Sequence, residues 1–118
     1  MDKINTCDLF NDAKALKTSH GDQSIALKLR QMFINDLPTQ LDRAKALLQS
    51  QDYQTLQSHL HHLLGGAQVC AADALIDNIN KIKTELKSND INLKKIAFIW
   101  QKIETMNAEM QASLNDPD

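Results

Sequence analysis

Three of the four histidines, His59, His61 and His62, fall within four consecutive positions, and two of the three glycines, Gly65 and Gly66, follow directly. An imidazole with an ordinary pKa near 6.5 can act at neutral pH as a nucleophile, a proton carrier or a metal ligand. Which of these is open to each ring depends on where the ring points. The histidines lie in the middle of a helix predicted from Tyr53 to Cys70, whose core stripe is Tyr53, Leu56, Leu60, Leu63, Ala67 and Cys70, spaced 3, 4, 3, 4, 3. On a wheel of about 100° per residue, His61 lies about 130° from the stripe's centre and faces solvent. His62 lies about 130° away on the other side, and His59 only about 70° off, at the edge of the core.

A glycine inside a helix costs about 1 kcal/mol relative to alanine, so Gly65 and Gly66 need a reason. Either a neighbouring helix packs closely there, or the helix ends, or a side chain at 65 would cover the ring at 61. In the last case the bare backbone lets a phosphoryl group or a second protein approach His61. Gln57, Ser58, His62, Leu64, Gly65 and Gln68 surround His61 on the wheel and form the expected docking surface, with Leu64 half exposed about 70° from the core centre and Gln68 a candidate to orient the ring. A metal site is the rival chemistry. His59 and His62, three apart, could pinch a divalent ion, but no H-E-x-x-H run and no third ligand nearby accompany them.

The run from His61 to Leu75 resembles the signature of histidine-containing phosphotransfer (HPt) domains, which has a histidine, an apolar residue two later, a glycine four later, a small residue ten later and a leucine fourteen later. Here these are His61, Leu63, Gly65, Ala71 and Leu75. A register on His62 finds Leu64, Gly66, Ala72 and Ile76; a register on His59 fails, with Leu63 at the glycine position. The wheel favours His61, because its apolar residue is then on the core stripe and its glycine on the open face. The chain departs from the family in having Leu64 where a lysine is frequent and Ala71 where a glycine is frequent. The layout from Asp8 to Lys87, with Met32-Phe33-Ile34-Asn35-Asp36-Leu37-Pro38 upstream, is similar to the C-terminal modules of BarA-type hybrid sensor kinases.

The resemblance implies a partner and a reaction. The partner would be a response-regulator receiver domain phosphorylated on aspartate, and His61 would take the phosphoryl group and pass it to another receiver. Phosphoryl transfer asks for in-line positioning and charge stabilisation rather than covalent help. No cofactor is expected on this chain; Mg²⁺ is expected on the partner receiver, because no acidic constellation accompanies His61. With no glycine-rich ATP loop, the chain is expected to be a phosphotransfer intermediate rather than a self-sufficient kinase. The alternative is a non-catalytic helical adaptor whose surface histidines are incidental.

Composition sets the frame. The 118 residues suit one domain, 42% are hydrophobic and 24% charged, and the formal net charge is −2 with a pI near 6.0. That charge argues against nucleic acid as a partner. No apolar run reaches the length of about 18 residues needed to span a membrane, so no direct membrane contact is expected in this segment. The lone thiols Cys7 and Cys70 suit a reducing, cytoplasmic setting, such as that of the C-terminal part of a membrane-anchored hybrid kinase.

Few glycines and prolines imply long, regular elements, and the spacing makes them helical. The reading along the chain is a lead-in over 1–7, a short helix from Asp8 to Leu16 with Leu9, Phe10, Ala13 and Leu16 inward, and a loop at Ser19-His20-Gly21-Asp22. A helix follows from Asp22 to Asp36 with Ile25, Leu29, Met32 and Phe33 inward. Pro38 is read in the first turn of a separate helix lined by Leu37, Leu41, Ala44 and Leu48. After the histidine helix, one helix runs to Ser88 on Leu75, Ile79, Ile82 and Leu86. The last spans Asn92 to Leu114 on Ile96, Ile99, Ile103, Met106 and Met110, with Phe98 and Trp100 off its stripe and a frayed tail over 115–118. Short loops between amphipathic helices predict an all-α antiparallel bundle, with a four-helix core and a short N-terminal helix. A monomer is expected, since each stripe can be consumed inside the bundle.

Overall fold

The computed structural model describes residues 10–18 and 20–115. Among the described residues five helices follow one another: α1 Asp12–Thr18, α2 Gln23–Gln49, α3 Tyr53–Val69, α4 Asp73–Leu86 and α5 Leu93–Asn115. The chain is all-α. Helices α2 to α5 each pack against their sequence neighbours and α5 closes against α2, while α1 rests on α2. Of the earlier segments, Cys7, Asp8 and Leu9, the lead-in over 1–7 and the tail beyond Asn115 lie outside the described residues. Within the described part, Phe10 and Asn11, expected inside a helix, lie before α1, which begins at Asp12. Phe10 precedes it and is buried, with the Arg30 guanidinium 4.5 Å from its ring centroid, whereas Ala13 and Leu16 are exposed.

The histidine helix is built as its residues dictate. Asp52 caps its N-terminus by accepting from the Thr55 amide at 3.3 Å, and Leu56, Leu60, Leu63, Ala67 and Cys70 are buried. Burial pushes the Cys70 thiol above its ordinary pKa, with Arg30 opposing in part. The predicted stripes of α4 and α5 are likewise inward, except that Met106 is only partly buried. Trp100, expected off the stripe, is buried at 8% exposure. Phe98 is 60% exposed, with the Lys102 ammonium 4.7 Å from its ring centroid. Glu85 closes the α4–α5 turn. Its carboxylate accepts from the Asn92 amide at 3.0 Å and faces Lys95 at 3.4 Å, and these contacts hold its carboxyl below the usual carboxylate range.

The break expected at Pro38 does not occur. Helix α2 runs 27 residues straight through it. A proline inside a helix removes the N–H that would bond the carbonyl four residues back, here Ile34. That carbonyl instead accepts from Gln111 Nε2 of α5 at 2.8 Å, so the interruption is satisfied from across the bundle. Continuity also resets the buried face. Once the wheel is carried through residue 38 the stripe is Ile34, Leu37, Leu41 and Ala44, and Met32 and Ile25 fall about 160° and 140° from its centre. They are 61% and 48% exposed. Leu29 and Phe33 are partly buried.

Three helix ends turn through a left-handed residue that is not glycine: His20 (φ 56°), Gln51 (φ 61°) and Ala71 (φ 56°). Each carries the paired closing bonds of a Schellman cap, for example Asp52 N–H to Leu47 O at 3.0 Å and Gln51 N–H to Leu48 O at 3.1 Å. Gly21, one residue after His20 in the expected loop, also has a positive φ (81°). Gln51 is exposed, so its side chain gives little in return for the strained backbone. Gln51→Gly is therefore expected to stabilise the chain by about 0.5–1 kcal/mol, read as a rise in the urea midpoint at constant m-value.

Candidate functional site

The outer face of α3 carries the histidines, and α2 and α4 flank it. His59 is half-buried and its Nε2 lies 2.8 Å from the Gln40 carbonyl of α2. A carbonyl only accepts, so this ring nitrogen carries the proton and donates. His61 and His62 are exposed. His61 sits at a shallow recess lined by Gln57, Ser58, His61, His62, Lys83 and Lys87. His62 also borders a small cleft toward α2, with Phe33 and Asp36 among its walls.

The two glycines have different reasons. A Cβ on Gly65 would meet nothing within 4 Å, so the backbone beside His61 is open to solvent. A Cβ on Gly66 would come within 3.2 Å of the Phe33 ring, so this glycine lets α2 and α3 approach. The expectations of close packing and of an open face both occur, one at each position.

The other expected site residues divide. Ser58, Gly65 and Gln68 are exposed around His61. Leu64, expected half exposed, is buried at 7%. The reason is that α3 is flanked by helices on both sides, so its buried arc is wider than its stripe. Leu64 lies two turns from Gln57 on the flank facing α4, and it does not line the recess. Gln57 braces the packing of α3 on α4. Its Nε2 donates to the Lys83 carbonyl at 3.2 Å, one of the last-turn carbonyls of α4 that lack a full set of helical partners.

The feature the α3 sequence did not reveal is Lys83. Its Nζ lies 3.5 Å from His61 Nδ1, at the long limit of a hydrogen bond. The helix position three after His61, where lysine would have been looked for, is the buried Leu64, and the cation comes from the next helix instead. The available signal was modest: Lys83 follows Ile82 on the α4 stripe and so lies on a flank of that helix. Among the described residues no group of three or more His, Cys, Asp or Glu side chains is placed to hold a metal ion, and no helix is long and apolar enough to cross a membrane.

With this geometry in view, the comparisons give the class. The chain matches the family model of the Hpt domain over residues 28–115. That is most of its length and includes α3, α4 and α5 entire, so the chain belongs to the Hpt domain family. Hpt domains serve histidine phosphotransfer in phosphorelays and interact with the receiver domains of response regulators. No curated protein and no solved structure matches the chain.

Proposed function

We propose that His61 is the phospho-acceptor of this Hpt domain, taking a phosphoryl group from a receiver-domain aspartate and passing it to a response regulator. A lone pair on the imidazole attacks phosphorus. The bond from phosphorus to the aspartyl oxygen breaks, its electron pair returning to the carboxylate, and a phosphoramidate is left on the ring. The observation that carries this assignment is the pairing of an exposed His61 with an empty space above Gly65. The family signature read from His61 supports it further. Its glycine position falls on the open backbone, and its tenth position, where glycine is frequent, falls on Ala71, whose φ of 56° favours glycine. Read from His62, the glycine would be packed under Phe33 and the tenth residue would be Ala72, at φ −81°.

The recess residues include no carboxylate, so Mg²⁺ and most of the charge stabilisation come from the receiver in this reading. His59, held by Gln40, is a structural residue, and the chain acts as a monomer on each receiver in turn. The test is to mix the chain with an aspartyl-phosphorylated receiver and Mg²⁺ and to follow acid-labile label. Wild type takes the label and His61→Gln takes none, with stability within about 0.5 kcal/mol of wild type because the residue is exposed. Label that survives the substitution moves the acceptor to His62 or His59. Absence of label with several receivers favours an adaptor.

A further inference from the structure

Resting on that reading of His61, we propose that Lys83 is the cationic anchor of the phosphoryl group, moving from the imidazole to the phosphoryl oxygens as the group arrives. Both ends of Lys83 are set by α3: its carbonyl is held by Gln57 and its ammonium lies at His61 Nδ1. Among the described residues it has no carboxylate partner, whereas Lys14, Lys45, Lys81 and Lys95 each face one. Its charge is therefore available to an incoming anion. Lys87, one turn on, lines the same recess.

The direction of movement follows from donors and acceptors. An ammonium has three donors and no acceptor, so its approach to Nδ1 requires the ring lone pair there and places the proton on Nε2. Nε2 is then the nitrogen without a protein partner among the described residues, and it is the one an external phosphorus can reach. Attack from Nε2 needs the opposite tautomer, with the proton on Nδ1. In that state Nδ1–H and the ammonium are both donors and the 3.5 Å contact is lost. As the N–P bond forms and the aspartyl O–P bond breaks, the transferred group brings three acceptor oxygens to the same recess. A lysine on a flexible four-carbon stem exchanges one lone pair for these. The bound cation then stabilises the phosphoramidate and opposes departure of the phosphoryl group to water.

The experiment compares Lys83→Met, which keeps most of the stem, and Lys83→Arg, which keeps the charge, with wild type in the same transfer assay. Lys83→Met is expected to slow acceptance by about tenfold, the size of one partly exposed charge-assisted contact, and to shorten the half-life of the phosphohistidine several-fold. Lys83→Arg is expected to restore most of that half-life. In ¹⁵N spectra of the unphosphorylated chain, Lys83→Met is expected to lower the share of the Nε2–H tautomer of His61. Wild-type rate and half-life in Lys83→Met overturn the proposal, and so does a loss that arginine fails to restore. Labelling of wild type on a residue other than His61 overturns the parent reading and this one together; labelling on His61 with an indifferent Lys83 overturns only this one.

Discussion

Gly65→Ala is expected to make the chain more stable, and Gly65→Leu to make it a poor phosphoryl acceptor. The position lies inside a 17-residue helix and a Cβ there meets nothing within 4 Å. Replacing glycine by alanine in such a place recovers about 1 kcal/mol of helix propensity. In a chain of this length that is a rise of about 4 °C in Tm. The gain is available, yet the chain carries glycine one turn beyond His61, which fits a requirement for empty space. Leucine is also a good helix former, so Gly65→Leu keeps the fold while placing a branched side chain beside the ring. Displacing an in-line attack by about 1 Å can cost about a hundredfold, and a loss of that order in transfer from a phosphorylated receiver is the expected result. Thermal unfolding and the transfer rate, measured on the same samples, decide the matter. Undiminished transfer in Gly65→Leu would mean that partners reach His61 from another side.

The second large effect lies at Pro38. If Gln111 supplies the donor that Pro38 cannot, Gln111→Ala leaves the Ile34 carbonyl without its partner and costs about 1–2 kcal/mol. Pro38→Ala restores the backbone N–H and removes a helix-interior proline, which in an exposed helix is worth up to about 3 kcal/mol, less the entropy that proline takes from the unfolded chain. In the Pro38→Ala background, Gln111→Ala is expected to cost far less, giving a coupling of about 1 kcal/mol. Four urea titrations complete the cycle. Equal costs of Gln111→Ala in the two backgrounds would show that the side-chain amide does not stand in for the missing backbone donor.

Much of the bundle was legible because one-dimensional periodicity encodes it directly. Leu56, Leu60, Leu63 and Ala67, then Leu75, Ile79, Ile82 and Leu86, are inward as their spacing requires, and Asp22 and Asp52, each directly before a helix, cap it with a side-chain oxygen. What escaped depends on pairs distant in sequence. Pro38 reads as a helix start because the partner that lets it sit mid-helix is bonded to a carbonyl 77 positions away. That error carried the wrong face with it, since Met32 and Ile25 look inward only if α2 stops before residue 38. At the site, the geometry of α3 places His61 and Gly65 on the open face, because both properties belong to one helix. Lys83 and the bracing role of Gln57 belong to the packing of α3 on α4, which a single wheel does not contain. Leu64 was misplaced for the same reason: its burial is set by its neighbours as much as by its angle.

The bond from His59 to Gln40 also bears on selectivity. Three imidazoles within one turn of helix would ordinarily compete for any electrophile, and a transferred group could wander among them. Here one ring is fastened to the backbone of α2 by its proton-bearing nitrogen, and its remaining nitrogen belongs to a half-buried side chain. The remaining two both line the recess beside the lysines of α4, and His62 alone also borders the cleft toward Asp36 and Phe33 of α2. Residues of identical chemistry are thus made inequivalent by the scaffold before a partner arrives: one is bonded to α2, one lies against Lys83 and one opens on two sides.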